Sequence, residues 1–329
     1  MAFITKTIAL GVVAAAAVAA GFAWWAQEPI TTEEPAIEFT INKGSGAGAA
    51  GQQMAAAGVP IQPFMFNMLA RFTGKSNKLK AGSYELKPNT TPLRLMDQLV
   101  RGEFAQESLT IIEGWTFKQM RAAIAGHKGL KHDTADLSDK ELMARVNPDF
   151  KSPEGLFFPD TYLFAKGSSE LQIFKQAHIM LMQRLAEAWE KRAPNLPYSS
   201  PYEALTMASI VEKETGQKSE RSMIAAVFVN RLKLGMLLQT DPTVIYGMGD
   251  KFDGNIRKKD LETDTPYNTY VRTGLPPTPI SLPGVQSLMA AMTPAKSGAL
   301  YFVSRGNGTS QFSDNLTDHN RAVNQYQRQ

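Results

Sequence analysis

From Ile8 to Ala26 the chain carries no charge and no strongly polar side chain. A helix apolar on every side at the extreme end of a chain has no core to enter, which leaves a membrane as its natural surrounding. At 1.5 Å per residue the run spans about 30 Å, the thickness of a bilayer's hydrocarbon. Lys6 precedes it, Trp24 and Trp25 close it where an interfacial aromatic belt would sit, and Gln27 and Glu28 follow. The alanine-rich run also offers small residues for signal cleavage, but its length exceeds a usual signal-peptide core. The expectation is a retained single-pass anchor in residues 1–27, with a cytoplasmic N-terminus. Everything after a linker at 28–36 then lies outside the cytoplasmic membrane.

The remaining length of a 329-residue chain suffices for two globular parts. A balance of 35 basic against 31 acidic residues is too weak to argue for nucleic acid, and the basic residues are dispersed. Cysteine is absent, which excludes disulfides, thiolate metal sites and a cysteine nucleophile. The four histidines, His127, His132, His178 and His319, form no HExxH-like pair. P-loop, dinucleotide-binding and nucleophile-elbow patterns are missing as well. No metal and no cofactor are expected.

After the linker a loose strand–turn–helix pattern recurs three times. Ile37–Ile41 alternates like a strand and leads into a helix ending at Gly58. Ser83–Leu86 is followed by a helical stripe of Leu95, Met96 and Leu99 that ends at Gly102. Leu109–Ile112 precedes a helix ending at Gly126. Ser45, Thr91 and Thr116 stand where each helix would take its N-cap. The first two copies suggest a small α+β module at 37–108, and the third opens a larger α+β domain at 109–329. Within the latter, 127–150 reads as polar and helical, and Glu154–Tyr162 as a cleft wall or a hydrophobic loop anchor. Gln172–Arg192 reads as a long amphipathic helix. Toward the end, strands around Gly306-Asn307-Gly308 read as a β-hairpin, followed by a closing helix over 317–326.

The most informative stretch begins at Ser200-Pro201-Tyr202-Glu203, a helix-start signature. The helix runs to Thr215 with Gly216 as its stop, and a second spans 220–234 with Gly235 as terminator. At 100° per residue, Thr206, Ser209 and Lys213 share a polar face. Glu214 falls among Met207, Ile210 and Val211, and Glu212 beside Leu205 and Ala208. A carboxylate on an apolar face must be paired or protonated, and a protonated one can serve as a general acid. The placement equally suits a helix-end glutamate paired with a neighbouring Lys or Arg, so the residues alone choose neither between these readings nor between the two carboxyls. Beyond the helices, Leu238–Thr243 reads as a loop before regular structure resumes at Val244. Gln239, Thr240, Asp241, Tyr246, Tyr267, Asn268 and Tyr270 mix hydrogen-bonding groups with flat rings, as a carbohydrate requires.

Several of these runs, in this order, resemble the MltG/YceG family of endolytic murein transglycosylases. They are Ala208-Ser-Ile-Val-Glu-Lys-Glu-Thr215, Val227-Phe-Val-Asn-Arg-Leu232, Leu238-Gln-Thr-Asp-Pro-Thr-Val-Ile-Tyr-Gly247, Tyr267-Asn-Thr-Tyr270, Gly274-Leu-Pro-Pro277, Tyr301-Phe-Val303 and His319-Asn320. The resemblance implies that Glu214 is catalytic, as the counterpart of the glutamate on the catalytic helix of lysozyme-like lytic transglycosylases. It implies cleavage between N-acetylmuramic acid and N-acetylglucosamine with formation of a 1,6-anhydro end. It further implies a LysM-like fold for the small module and a role in ending nascent strands beside penicillin-binding peptidoglycan synthases. Glu220 is a candidate supporting carboxylate. A hydrolytic muramidase using Glu212 or Glu220 to position water, and a non-catalytic peptidoglycan-binding scaffold, are the alternatives.

Overall fold

A computed structural model describes residues 2–32, 34–214 and 217–327, and only the backbone of residues 2–8. The chain divides into two compact units, residues 1–107 with 163–168 and residues 108–162 with 169–329.

The first unit opens with helix α1 (Ala2–Gln27), whose stretch Ala9–Gln27 is long and apolar enough to cross a membrane. The end of α1 behaves differently from the rest: Ala26 is buried with Ile30 in the unit's core, and Phe22 and Trp25 pack against it. Of the two tryptophans expected to form an interfacial belt, only Trp24 is exposed. Strand β1 (Ile37–Ile41) alternates buried and exposed as read, with Ile37, Phe39 and Ile41 inward. Helices α2 (Ala47–Ala56) and α3 (Pro63–Phe72) follow, then β2 (Gly82–Leu86), antiparallel to β1 with Phe39 opposite Tyr84. Helix α4 (Pro92–Arg101) completes the second copy.

The caps divide. Thr91 accepts from the Arg94 amide and Thr116 forms a capping box with Gln119, as expected. Ser45 does not cap: the N-cap of α2 is Gly46, and the Ser45 hydroxyl instead bonds the Gln53 side chain. One glycine of α2 has a packing reason. A Cβ on Gly51 would stand 2.9 Å from the Pro63 Cα, so only glycine lets α2 and α3 approach this closely.

Strands β3 (Gln106–Thr110) and, later, β5 (Thr161–Ala165) carry the chain out of the first unit and back. The second unit contains α5 (Phe117–Ala125), β4 (Leu130–Lys131) and α6 (Asp139–Val146). The stretch 127–150 is therefore less helical than its polarity suggests. Leu156, Phe157, Phe158 and Tyr162 are buried, and Phe157 stacks on Phe117 at 5.3 Å; this run is a core anchor. After β6 (Ser168–Ser169) comes α7 (Glu170–Glu190). Helix α8 (Pro201–Glu214) packs against α7, α9 (Arg221–Lys233) and α12 (Val285–Met292). Between α9 and α12 lie α10 (Asp241–Met248) and α11 (Lys258–Glu262). The chain ends in the hairpin β7 (Tyr301–Ser304) and β8 (Ser310–Ser313), then α13 (Leu316–Tyr326), capped by Asn315.

Helix α8 is buried on every side from Ala204 to Val211. Of its polar stripe only Lys213 therefore reaches water. Thr206 donates to the Tyr202 carbonyl and Ser209 to that of Thr206, while the Ser209 hydroxyl accepts from the Ile280 amide. Buried hydroxyls need such partners, and a helix carbonyl one turn back supplies them. The expected helix stop at Gly216, with Thr215 before it, lies outside the described residues. The segment expected to be a loop through Thr243 turns helical at Asp241, with Pro242 in the first turn.

Candidate active site

Glu212 and Glu214 leave the last turn of α8 in different directions. Glu212 is buried and pairs with the buried guanidinium of Arg221, the first residue of α9, at 2.8 Å. Its other oxygen accepts from the Gly284 amide at 3.0 Å, and Glu113 stands 3.9 Å from Arg221. Gly284 is close-packed here, because a Cβ would collide with the Glu113 carboxylate. Every bond to Glu212 comes from the scaffold.

Glu214 enters a cleft of about 550 Å³ that also exposes Gln239, Asp241 and Tyr270. Its Oε1 accepts a 2.5 Å hydrogen bond from the hydroxyl of Thr240, the N-cap residue of α10. No cation neutralises it among the described residues. Burial pushes its pKa up, the Thr240 hydroxyl opposes that rise, and the negative charge of Asp241 adds to it. The result is a carboxyl group that favours its protonated form more than an ordinary glutamate does, and that faces a cavity.

Thr240 is itself fixed. Its amide donates to the Thr269 hydroxyl at 3.1 Å, and the Thr243 hydroxyl donates to its carbonyl and contacts Thr269 at 2.9 Å. Gln239, just before it, has φ of 52°, a left-handed conformation that a non-glycine residue adopts at a cost. The Asp241 carboxylate accepts from the Tyr270 hydroxyl at 2.5 Å. Gln239, Thr240, Asp241 and Tyr270 thus gather around Glu214.

The other expected site residues stand elsewhere. Glu220 accepts from the Ser310 amide at 2.9 Å, supporting the start of β8. Asn268 is buried and donates to the carbonyls of Asp260, Leu261 and Thr263, bracing its own loop. Tyr246 donates to Glu154 at 3.1 Å and meets the Tyr267 ring edge-on, and Tyr267 bonds Thr278. Glu154 is 4% exposed; it accepts from the Phe117 amide, and burial pushes its pKa up to about 7.

The cleft is also lined by residues that sequence reasoning did not single out as a site. Arg231 at the end of α9 holds the carbonyls of Leu238 and Leu300 and lies over the Tyr301 ring at 5.1 Å. His319 of α13 stacks on Tyr301 at 5.1 Å, and burial together with the Arg231 charge keeps its imidazole neutral-leaning. Arg231, Tyr301 and His319 lie in three separate matched runs, but nothing in their local patterns says they meet.

Comparison with known proteins gives a consistent result. A profile described as the YceG-like family matches residues 39–325. The endolytic murein transglycosylase of Bacillus subtilis is 33% identical over 317 residues, covering 91% of this chain and 87% of the relative. That of Streptococcus pneumoniae is 27% identical over 87% of this chain, which spans only 58% of that longer relative. The crystal structure of a YceG-like protein from Listeria monocytogenes superposes with a TM-score of 0.57 at 33% identity, covering 87% of this chain and 98% of the other.

Proposed function

The chain belongs to the YceG-like family, and from that premise we propose that it is a lytic transglycosylase of peptidoglycan with Glu214 as its single acid–base group. The relatives named endolytic murein transglycosylase support the substrate and reaction class. The observation that carries the residue assignment is the contrast on α8: Glu212 is neutralised by Arg221, whereas Glu214 faces the cleft with a raised pKa and, among the described residues, only a neutral donor.

With Thr240 bonded to Oε1, the proton of the acid belongs on Oε2. That oxygen protonates the glycosidic oxygen leaving N-acetylmuramic acid as the C1–O bond breaks. Positive charge develops at C1 in the same cleft as the Asp241 carboxylate. The Glu214 carboxylate then removes the proton from the muramic C6 hydroxyl as that oxygen bonds C1, closing the 1,6-anhydro ring. Glu214 ends protonated, as it began, and no water is consumed.

The hydrolytic alternative would call on Glu212 or Glu220, whose carboxylates are committed to Arg221 and to the Ser310 amide. The strand–helix–helix–strand order β1, α2, α3, β2 supports a LysM-like reading of the small module. The apolar α1 supports a single-pass anchor with the small module and the second unit on the outer side of the cytoplasmic membrane. Family resemblance supports a role in ending nascent strands beside penicillin-binding synthases. Mass spectrometry of peptidoglycan digested by the full-length protein tests the assignment. Anhydro-muramic ends are expected; reducing muramic ends would mean hydrolysis, and an intact polymer would mean a binding scaffold.

A further inference from the structure

Helix α3, Pro-Phe-Met-Phe-Asn-Met-Leu-Ala-Arg-Phe, is apolar nearly all the way round, with Asn67 and Arg71 its only polar side chains. Such a helix is normally enclosed by protein or lipid. Here one face, Phe66, Leu69 and Ala70, is buried in the first unit's core. The other is not covered: Phe64 is 72% exposed and Phe72 71%, with Met65 and Met68 half-buried between them. This face opens into a groove of about 780 Å³ whose other wall is α1 itself, from Ala14 through Val18 to Phe22. Phe72 meets Phe22 edge-on at 5.6 Å.

The position along α1 identifies what fills the groove. Phe22, Trp25 and Ala26 pack on the folded unit, so the outer end of the apolar run is shared between this unit and the membrane. From Phe22 to Ala14 is about 12 Å along the helix axis, close to the roughly 15 Å of hydrocarbon in one leaflet. A wall that follows α1 over that distance lies beside the outer leaflet, at the depth where interfacial amphipathic helices bury their apolar faces.

We propose that α3 is a second membrane element: its Phe64, Met65, Met68 and Phe72 face enters the acyl chains of the outer leaflet alongside α1, so that the small module is seated in the bilayer rather than tethered above it. This rests on the reading of α1 as a membrane anchor. The partner is lipid hydrocarbon, because the groove is continuous with the exposed apolar surface of α1, where Val13 and Val18 are open. Seating would hold the first unit at a fixed depth, where a freely hinged tether would let it wander.

The chain lacks cysteine, so each introduced thiol is a unique labelling site. Full-length Phe64→Cys, Phe72→Cys, Val13→Cys and Lys87→Cys proteins, each nitroxide-labelled, are reconstituted into phosphatidylcholine–phosphatidylglycerol vesicles. Power-saturation EPR then compares collisions with oxygen, which partitions into lipid, and with a water-soluble nickel chelate. Labels at 64 and 72 are expected to favour oxygen as the label at 13 does, with that at 87 favouring nickel. Labels at 64 and 72 behaving like 87 while 13 stays in lipid would overturn the seating of α3 and leave the anchor intact. Nickel access at 13 as well would remove the anchor reading and this inference with it.

Discussion

On the inner side of the last turn of α8, Glu212 is held by Arg221 and the Gly284 amide; on the cleft side, Glu214 accepts from the Thr240 hydroxyl. The two residues are chemically identical, two positions apart, and drawn from the same apolar helix. One carboxyl is neutralised by a buried cation and becomes scaffold. The other meets no cation among the described residues at its cavity wall, and burial favours its protonated form, as the proposed acid requires. In the proposed assignment Glu214 is the acid because no cation among the described residues neutralises it as Arg221 neutralises Glu212.

The largest effect should come from removing the proton. Glu214→Gln preserves volume and the hydrogen bond with Thr240, so the expected outcome is a loss of glycan cleavage on the order of 10²–10⁴-fold with an unchanged melting temperature. Near-normal turnover in that variant would dissolve the contrast. Its mirror image, Glu212→Ala, strands the Arg221 charge in the interior and should destabilise the second unit by roughly 3–5 kcal/mol. Denaturant titration reads this; a small change would mean that the pair contributes little to the scaffold. The double substitution Glu212→Gln with Arg221→Met should recover part of the loss, since no charge is then left unpaired.

Glu154 asks whether burial alone is enough to raise a carboxyl. It too has a raised pKa without a counter-charge, yet its partners are the Phe117 amide and the Tyr246 hydroxyl. The native state holds its proton to about pH 7, the unfolded chain only to about 4.5. Between those values the native state binds more protons, so stability is fully present below pH 4.5 and falls as pH rises to 7, by up to ~3 kcal/mol. Glu154→Gln should flatten that decline; melting curves of variant and parent that stay parallel from pH 4.5 to 7 would assign the decline to another group. The smallest effect concerns Thr240. Its hydroxyl lowers the Glu214 pKa, so Thr240→Val should move the alkaline limb of the kcat/KM profile to higher pH and reduce activity several-fold, on the order of 1 kcal/mol. A shift to lower pH would reverse the sign of that bond.

Much of this chain is legible from local pattern. The apolar run at 8–26, the alternation of Ile37–Ile41, the Thr91 and Thr116 caps and the hairpin around Gly306-Asn307-Gly308 depend on neighbours within a few residues. What the local pattern leaves open has a common origin in packing. The Thr206–Ser209 stripe looked like a solvent face because a helical wheel carries no knowledge of the 280–281 segment that covers it. Asn268 and Tyr246 have the chemistry to bind a sugar, and only the fold commits them to loop carbonyls and to Glu154.

Sequence alone determined the apolar N-terminal helix, the presence of two carboxyls on an apolar helix, and, through a run of ordered motifs, the family. It offered no physical ground for preferring Glu214 over Glu212. Tertiary structure supplies the ground on which the proposal rests, because Arg221 and Gly284 approach one carboxyl and Thr240 the other from segments that are distant in sequence for two of those three contacts. It also decided that Gly51 is a close-packing residue, and that Arg231, Tyr301 and His319 form one wall. Charge pairing and burial are properties of what surrounds a side chain, and in a folded chain most of those surroundings arrive from elsewhere in the sequence.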